Sequence, residues 1–107
     1  VKPITFLGDS RSVLQHFPDA ARYQAGVELR AVQEGLDPND WKPMRTVGPG
    51  VREVRIRDVS GAFRIIYLAN PIGLRAGAAR IPEEDTADRS HRHRAGRQAA
   101  QGLAGTT

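Results

Sequence analysis

Residues 51–69, Val51-Arg52-Glu53-Val54-Arg55-Ile56-Arg57-Asp58-Val59-Ser60-Gly61-Ala62-Phe63-Arg64-Ile65-Ile66-Tyr67-Leu68-Ala69, decide the fold. Two β-rich runs, Val51 to Asp58 and Ala62 to Ala69, flank Val59-Ser60-Gly61, a short link ending in glycine, and the pattern predicts an antiparallel hairpin. Side chains alternate across an extended strand. Val54 and Ile56 therefore share one face, while Glu53, Arg55 and Arg57 share the other. The apolar face needs a cover, and the opposite face offers arginines to solvent. A tight hairpin brings Arg64 across from them.

Upstream, a strand and a helical hairpin are predicted to supply that cover. Pro3-Ile4-Thr5-Phe6-Leu7 reads as a short strand closed by Gly8. Asp9 or Ser10 can cap the helix that follows, because either side-chain oxygen can accept a hydrogen bond from a free first-turn amide. Val13, Leu14 and Phe17 fall on one face of it before Pro18 stops the run. Pro18-Asp19 opens a longer helix reaching about Val32-Gln33. Ala25, Leu29, Val32 and Leu36 recur at helical spacing, and Gly35 sits where a left-handed C-terminal cap belongs. Residues 36–40 read as loop, Lys42 to Val47 as a short strand and Gly48-Pro49-Gly50 as a sharp turn. The order of strand, two helices and antiparallel meander gives an α+β domain, the helices packed on the sheet.

Composition changes at Asn70-Pro71. Residues 71–107 contain no aromatic side chain and no lysine, and their large apolar residues are scattered. Such a stretch buries too little surface to offset its ordering entropy. The expected division is a core over residues 1–70 and an irregular tail over 71–107. With 107 residues, there is room for one small core. The chain has no cysteine, which excludes disulfides and thiolate metal sites and suits a reducing cytoplasm. No apolar run is long enough to span a membrane, so a soluble, unexported protein is expected.

Basic residues number 16 against 12 acidic ones, with a sequence pI near 10.3. Only Lys2 and Lys42 are lysines. Such a surplus of arginine favours a polyanionic partner, with nucleic acid foremost. The strongest local cluster is Arg52, Arg55, Arg57 and Arg64 on two adjacent strands. Neighbouring guanidinium groups repel one another unless an anion compensates. A phosphodiester does so through forked hydrogen bonds, and an arginine can also stabilise charge gathering on phosphorus during cleavage. The alternative is a solvated sheet face on which Glu53 and Asp58 pair locally. Trp41 can stack on a base or plug the core. His91 and His93 lack third and fourth ligands for a metal and sit in a charge run, Arg89 to Arg94. His16 reads as a surface residue. Gly48-Pro49-Gly50 is not a phosphate-binding loop, because no helix and no Lys-Ser/Thr follow it.

The strings Asp40-Trp41-Lys42-Pro43-Met44, Val47-Gly48-Pro49-Gly50-Val51-Arg52-Glu53-Val54-Arg55-Ile56-Arg57-Asp58 and Ser60-Gly61-Ala62-Phe63-Arg64-Ile65-Ile66-Tyr67 resemble the phage-derived, HigB-like branch of the RelE toxin superfamily. The resemblance runs without a gap from residue 2 to about residue 69. It implies a RelE-like α+β fold, with the N-terminal strand and helical hairpin on an antiparallel sheet that cradles mRNA in the ribosomal A site. It also implies the toxin half of a type II toxin–antitoxin pair, an endoribonuclease needing no metal or cofactor and using the 2′-hydroxyl as nucleophile. A helix-turn-helix antitoxin of HigA type is the implied partner. By position, Arg57 and Arg64 match basic residues used around the scissile phosphate. Arg52 and Arg55 match more variable ones, and Lys42 joins them as an RNA contact.

The resemblance then calls for a strand of the form V-L-H-A-F-x-K-K-T and an amphipathic C-terminal helix, and this sequence has neither motif. The expected fold is therefore the RelE core with its last strand and C-terminal helix missing or replaced. The arginine strand would then lie at or near a sheet edge, and cleavage would be impaired. A frameshift between about Ala69 and Ala76 accounts for the change. Codons exist for Ile81 to Asp88 that read, one nucleotide on, as F-Q-K-K-T-P-Q-T, and Gly77 to Arg80 permit V-L-H-A. Arg92 to Ala95 permit D-I-E-L, and Gln98 to Leu103 permit R-R-L-K-A-W. Sequencing the gene checks this: the codons for residues 77–88 should spell the family strand in another frame, and codons that do not would remove the explanation.

Overall fold

A computed structural model describes residues 2–82 together with Arg92 and His93. The elements run β1 (Ile4–Phe6), α1 (Ser10–Gln15), α2 (Asp19–Gln33), β2 (Trp41–Pro43), β3 (Arg52–Asp58), β4 (Gly61–Ala69) and β5 (Leu74–Ile81). Among the described residues the strands form one five-stranded sheet in the order β1-β5-β4-β3-β2. The α+β class holds, and β2 to β5 pair antiparallel as the meander requires. The sheet as a whole is mixed, because β1 pairs in parallel with β5.

The core lies between the sheet and the helices. Val54, Ile56, Phe63, Ile65, Tyr67, Leu74 and Ala76 point into it from the strands. Phe17, Ala21, Ala25, Leu29 and Val32 meet them from the helical side. The Phe17 and Phe63 rings touch with centroids 4.6 Å apart. The stripe on α2 is as its spacing predicts, except that Leu36 lies beyond the helix and is half exposed. Gly35 closes α2 at φ +81°, and the Leu36 amide donates back to Ala31 O, a left-handed cap of the kind glycine permits. At the start of α1 neither Asp9 nor Ser10 caps as expected: no side-chain hydrogen bond is made, and Ser10 is buried.

One predicted element is shorter than expected, and one element was not expected at all. β2 ends at Pro43, because Met44 O accepts from the amides of Val47 and Gly48 and folds that segment into a turn. The larger correction is β5. Residues 74–81, expected to be irregular, occupy an interior position between β1 and β4. Asn70-Pro71 is a turn and not the end of the folded core. Asn70 Oδ1 accepts from the amides of Ile72 at 2.9 Å and Gly73 at 3.0 Å, which reverses the chain into β5.

The physical reason β5 escapes a hydrophobicity reading is side-chain size. Ala76, Gly77, Ala78 and Ala79 carry no periodic bulk, yet Ala76 is fully buried where α1 lies along the strand. Small residues let the helix approach, and the strand is held by its neighbours' hydrogen bonds on both sides. With β5 in place β4 is flanked by β5 and β3, and β3 by β4 and β2, so neither strand of the arginine hairpin is an edge strand. The expected loss of the C-terminal helix concerns positions outside the described residues.

Leu74 is 2% exposed at the start of β5. Leu74→Ala should cost about 2–5 kcal/mol in urea unfolding. An unchanged midpoint would mean that β5 contributes nothing to the core.

Candidate nucleic-acid interface

Opposite the helices, the outer face of the sheet is built by the alternate positions of each strand. Cross-strand register sets Arg55 against Arg64, Arg57 against Ala62 and Glu53 against Ile66. On β2, Lys42 sits opposite Glu53. Arg57 and Arg64 are diagonal neighbours across β3 and β4, roughly 7–8 Å apart. Beyond them Arg64 faces Ala79 and Leu68 faces Arg75 on β5, so a floor of small side chains lies beside exposed Arg75. A cleft of about 790 Å³ opens at the hairpin end, lined by Arg57, Ala62, Arg80 and Ile81 among others.

Four of the five residues singled out by sequence, Lys42, Arg55, Arg57 and Arg64, share this face. Arg52 does not. Its position alternates with Glu53, and its guanidinium stacks 3.8 Å over the Trp41 ring and pairs with Asp37 at 3.1 Å. Burial alone lowers its pKa, but hydrogen bonds to Tyr67 and Asp37 outweigh that and hold it above the ordinary value. Its role is to brace the helical side of the sheet.

Arg55 is on the expected face but is sunk into it. Its side chain is 5% exposed, with Nη2 3.3 Å from Glu53 Oε1. Glu53 is the centre that sequence reading treated only as a local neighbour. This carboxylate, 1% exposed, meets Arg55 and also Arg92 at 2.7 Å and Arg64 at 3.7 Å. Arg57 is exposed, and the Arg64 side chain is 38% exposed. The exposed arginines of this face are therefore Arg57, Arg64 and Arg75.

Arg92 and Asp40 were not found from sequence. Arg92 lies in what reads as a solvated charge run, yet its side chain is 8% exposed. His93 explains how it arrives. The His93 and Trp41 backbones exchange two hydrogen bonds, and their rings stack at 4.2 Å. That pairing aims Arg92 toward the outer face, where its Nε donates to Asp40 Oδ1 and its Nη2 to Asp40 O at 2.8 Å. Burial alone lowers the Arg92 pKa, but the bonds to Asp40 and Glu53 prevail and raise it. Trp41, covered by Arg52 and His93 and packed on the core, is a plug and not a base platform. His91 lies outside the described residues, and exposed His16 contacts Ser12 O through Nδ1.

Asp40 is itself delivered by α2. Glu28, 2% exposed on that helix, accepts from the Asn39 amide at 2.9 Å and from Asn39 Nδ2 at 3.1 Å. The loop is thereby pinned, and Asp40 adopts φ +48°, a left-handed conformation that Asp tolerates better than most residues. Its carbonyl then accepts from the Arg55 amide at 3.1 Å. Asp40 and Glu53 are thus both paired with Arg92. Among the described residues no group of three or more His, Cys, Asp or Glu side chains could hold a metal ion. No helix there is long and apolar enough to cross a membrane.

Removing the Glu53 carboxylate leaves buried guanidinium charge uncompensated. Glu53→Ala should therefore destabilise the fold by about 3–5 kcal/mol, measured by urea unfolding. A loss below about 1 kcal/mol would show that the arginines do not depend on it.

A search of the curated proteins and a search of the solved structures found no match. Residues 12–74, covering α1 to the start of β5, match the family model described as Phage derived protein Gp49-like (DUF891). That span is more than half of the chain and includes the β3–β4 arginine hairpin, and the chain accordingly belongs to the phage-derived Gp49-like family.

Proposed function

We propose that the chain is a toxin of RelE/HigB type, the toxin component of a type II toxin–antitoxin pair, acting as a metal-independent endoribonuclease on mRNA at the ribosome in the cytoplasm. The observation that carries this reading is the pair Arg57 and Arg64, diagonal neighbours on the outer sheet face beside exposed Arg75. Spacing of this order suits consecutive phosphates of an extended strand. In such a cleavage the ribose 2′-hydroxyl attacks the adjacent phosphorus and the 5′-oxygen departs. Negative charge gathers on the non-bridging oxygens, where a guanidinium stabilises it more than in the ground state. Arg64 suits that role and Arg57 the neighbouring phosphate, while Lys42 lies at the β2 end of the same face. The helical side is left for a helix-turn-helix antitoxin of HigA type.

The family-type Lys-Lys-Thr stretch is absent from the sequence after β4, and Arg55 is committed to Glu53. Both lower the expected cleavage rate. The commitment of Arg55 also favours a second reading, a remnant that binds RNA or antitoxin without cutting.

Induced expression separates the two. A toxin arrests growth and leaves new 5′ ends within translated messages, and Arg64→Ala should abolish both effects, a loss of at least about tenfold in cutting. A fully toxic Arg64→Ala variant would remove the proposed role of that arginine. Tight binding to a helix-turn-helix protein with neither growth arrest nor cutting would favour the second reading.

A further inference from the structure

We propose that Arg92 is a positioning residue for the outer face: by saturating one oxygen of Glu53, it keeps the Arg64 guanidinium available to a phosphodiester. This rests on the RNA reading above, and it assigns a role to a residue beyond the span matched by the family. Glu53 has a single charge to share. Its Oε1 takes Arg92 Nη1 at 2.7 Å and Arg55 Nη2 at 3.3 Å, while Oε2 meets Arg64 Nη1 at 3.7 Å. The last distance is longer than a hydrogen bond. Arg64 Nε also makes no hydrogen bond among the described residues. Arg64 is thus held by charge but not fastened.

Arg92 is the opposite case. Its guanidinium is held by Asp40 Oδ1, Asp40 O and Glu53 Oε1, and its side chain is 8% exposed. It has little surface to offer RNA, so its effect passes through Glu53. Removing Arg92 takes the shortest donor from a carboxylate that is 1% exposed. A buried carboxylate deprived of its donor draws in the nearest cation that can move. Arg55 is already buried against Glu53, whereas Arg64 retains exposure and slack. Arg64 closes on Glu53 and is lost to the ligand. Arg57, one register step toward the hairpin end, is unaffected.

The test is a pair of double-mutant cycles with a labelled single-stranded oligoribonucleotide and the full chain. Arg92→Ala should weaken binding roughly tenfold, no more than Arg64→Ala does. Adding Arg92→Ala to Arg64→Ala should cost nothing further, whereas adding it to Arg57→Ala should multiply the two losses. Full additivity with Arg64→Ala overturns the inference. So does non-additivity with both partners, the signature of general collapse. Absence of RNA binding by the unmodified protein sinks the RNA reading instead, and the positioning role is then judged by nitrogen NMR of the arginine side chains. In the unmodified protein the Arg64 guanidinium should rotate freely while that of Arg92 is locked, and Arg92→Gln should slow Arg64. Equal locking of the two in the unmodified protein overturns the proposal even if every variant fails to fold.

Discussion

A carboxylate buried among guanidinium groups organises the outer half of this molecule. Taking Glu53 and its partners out of water costs several kcal/mol per ion, and only close, multiply bonded geometry offsets it. The sheet supplies that geometry. Register places Arg64 directly across from Arg55, and alternation places Glu53 and Arg55 on one face. Arg92 adds the shortest contact from outside the five strands. The placement of Arg55, Arg64 and Arg92 follows from how this one negative charge is divided.

The division is made possible by elements on the far side of the sheet. α2 carries the core stripe and also Glu28, whose bonds to Asn39 fix the loop that presents Asp40. Asp40 and Glu53 together form the acidic slot that Arg92 enters. The Trp41–His93 pairing extends the sheet beyond β2 and sets the direction from which Arg92 arrives. Core packing and outer-face electrostatics are therefore coupled through a loop of a few residues, so a change in α2 reaches the arginine face without touching it.

The chain also shows how little side-chain bulk an interior strand needs. β5 is mostly alanine, glycine and arginine, yet it is bonded on both sides and buries Leu74, Ala76 and Ile81. Neighbouring strands satisfy its backbone, and an approaching helix rewards smallness. A position in a sheet can be kept by residues unlike those that usually fill it, provided the turn before it aims the chain correctly, as the Asn70 turn does here.

Sequence by itself determined the hairpin of β3 and β4, the α2 stripe, the glycine cap at Gly35 and the shared face of Arg55, Arg57 and Arg64. These depend on local periodicity and turn chemistry, which short windows of residues contain. It also placed Arg52 wrongly in the cluster, although its alternation with Glu53 was readable from the same strand. Only the tertiary structure decided the rest: that β5 exists, that β1 runs parallel to it, and that Arg55 is buried against Glu53 while the Arg57 and Arg64 side chains keep exposure. Those outcomes join residues tens of positions apart, as Arg92 joins Asp40 and Glu53. No local pattern encodes such a meeting, because the energy of a buried charge depends on what surrounds it in space and not on what adjoins it in the chain.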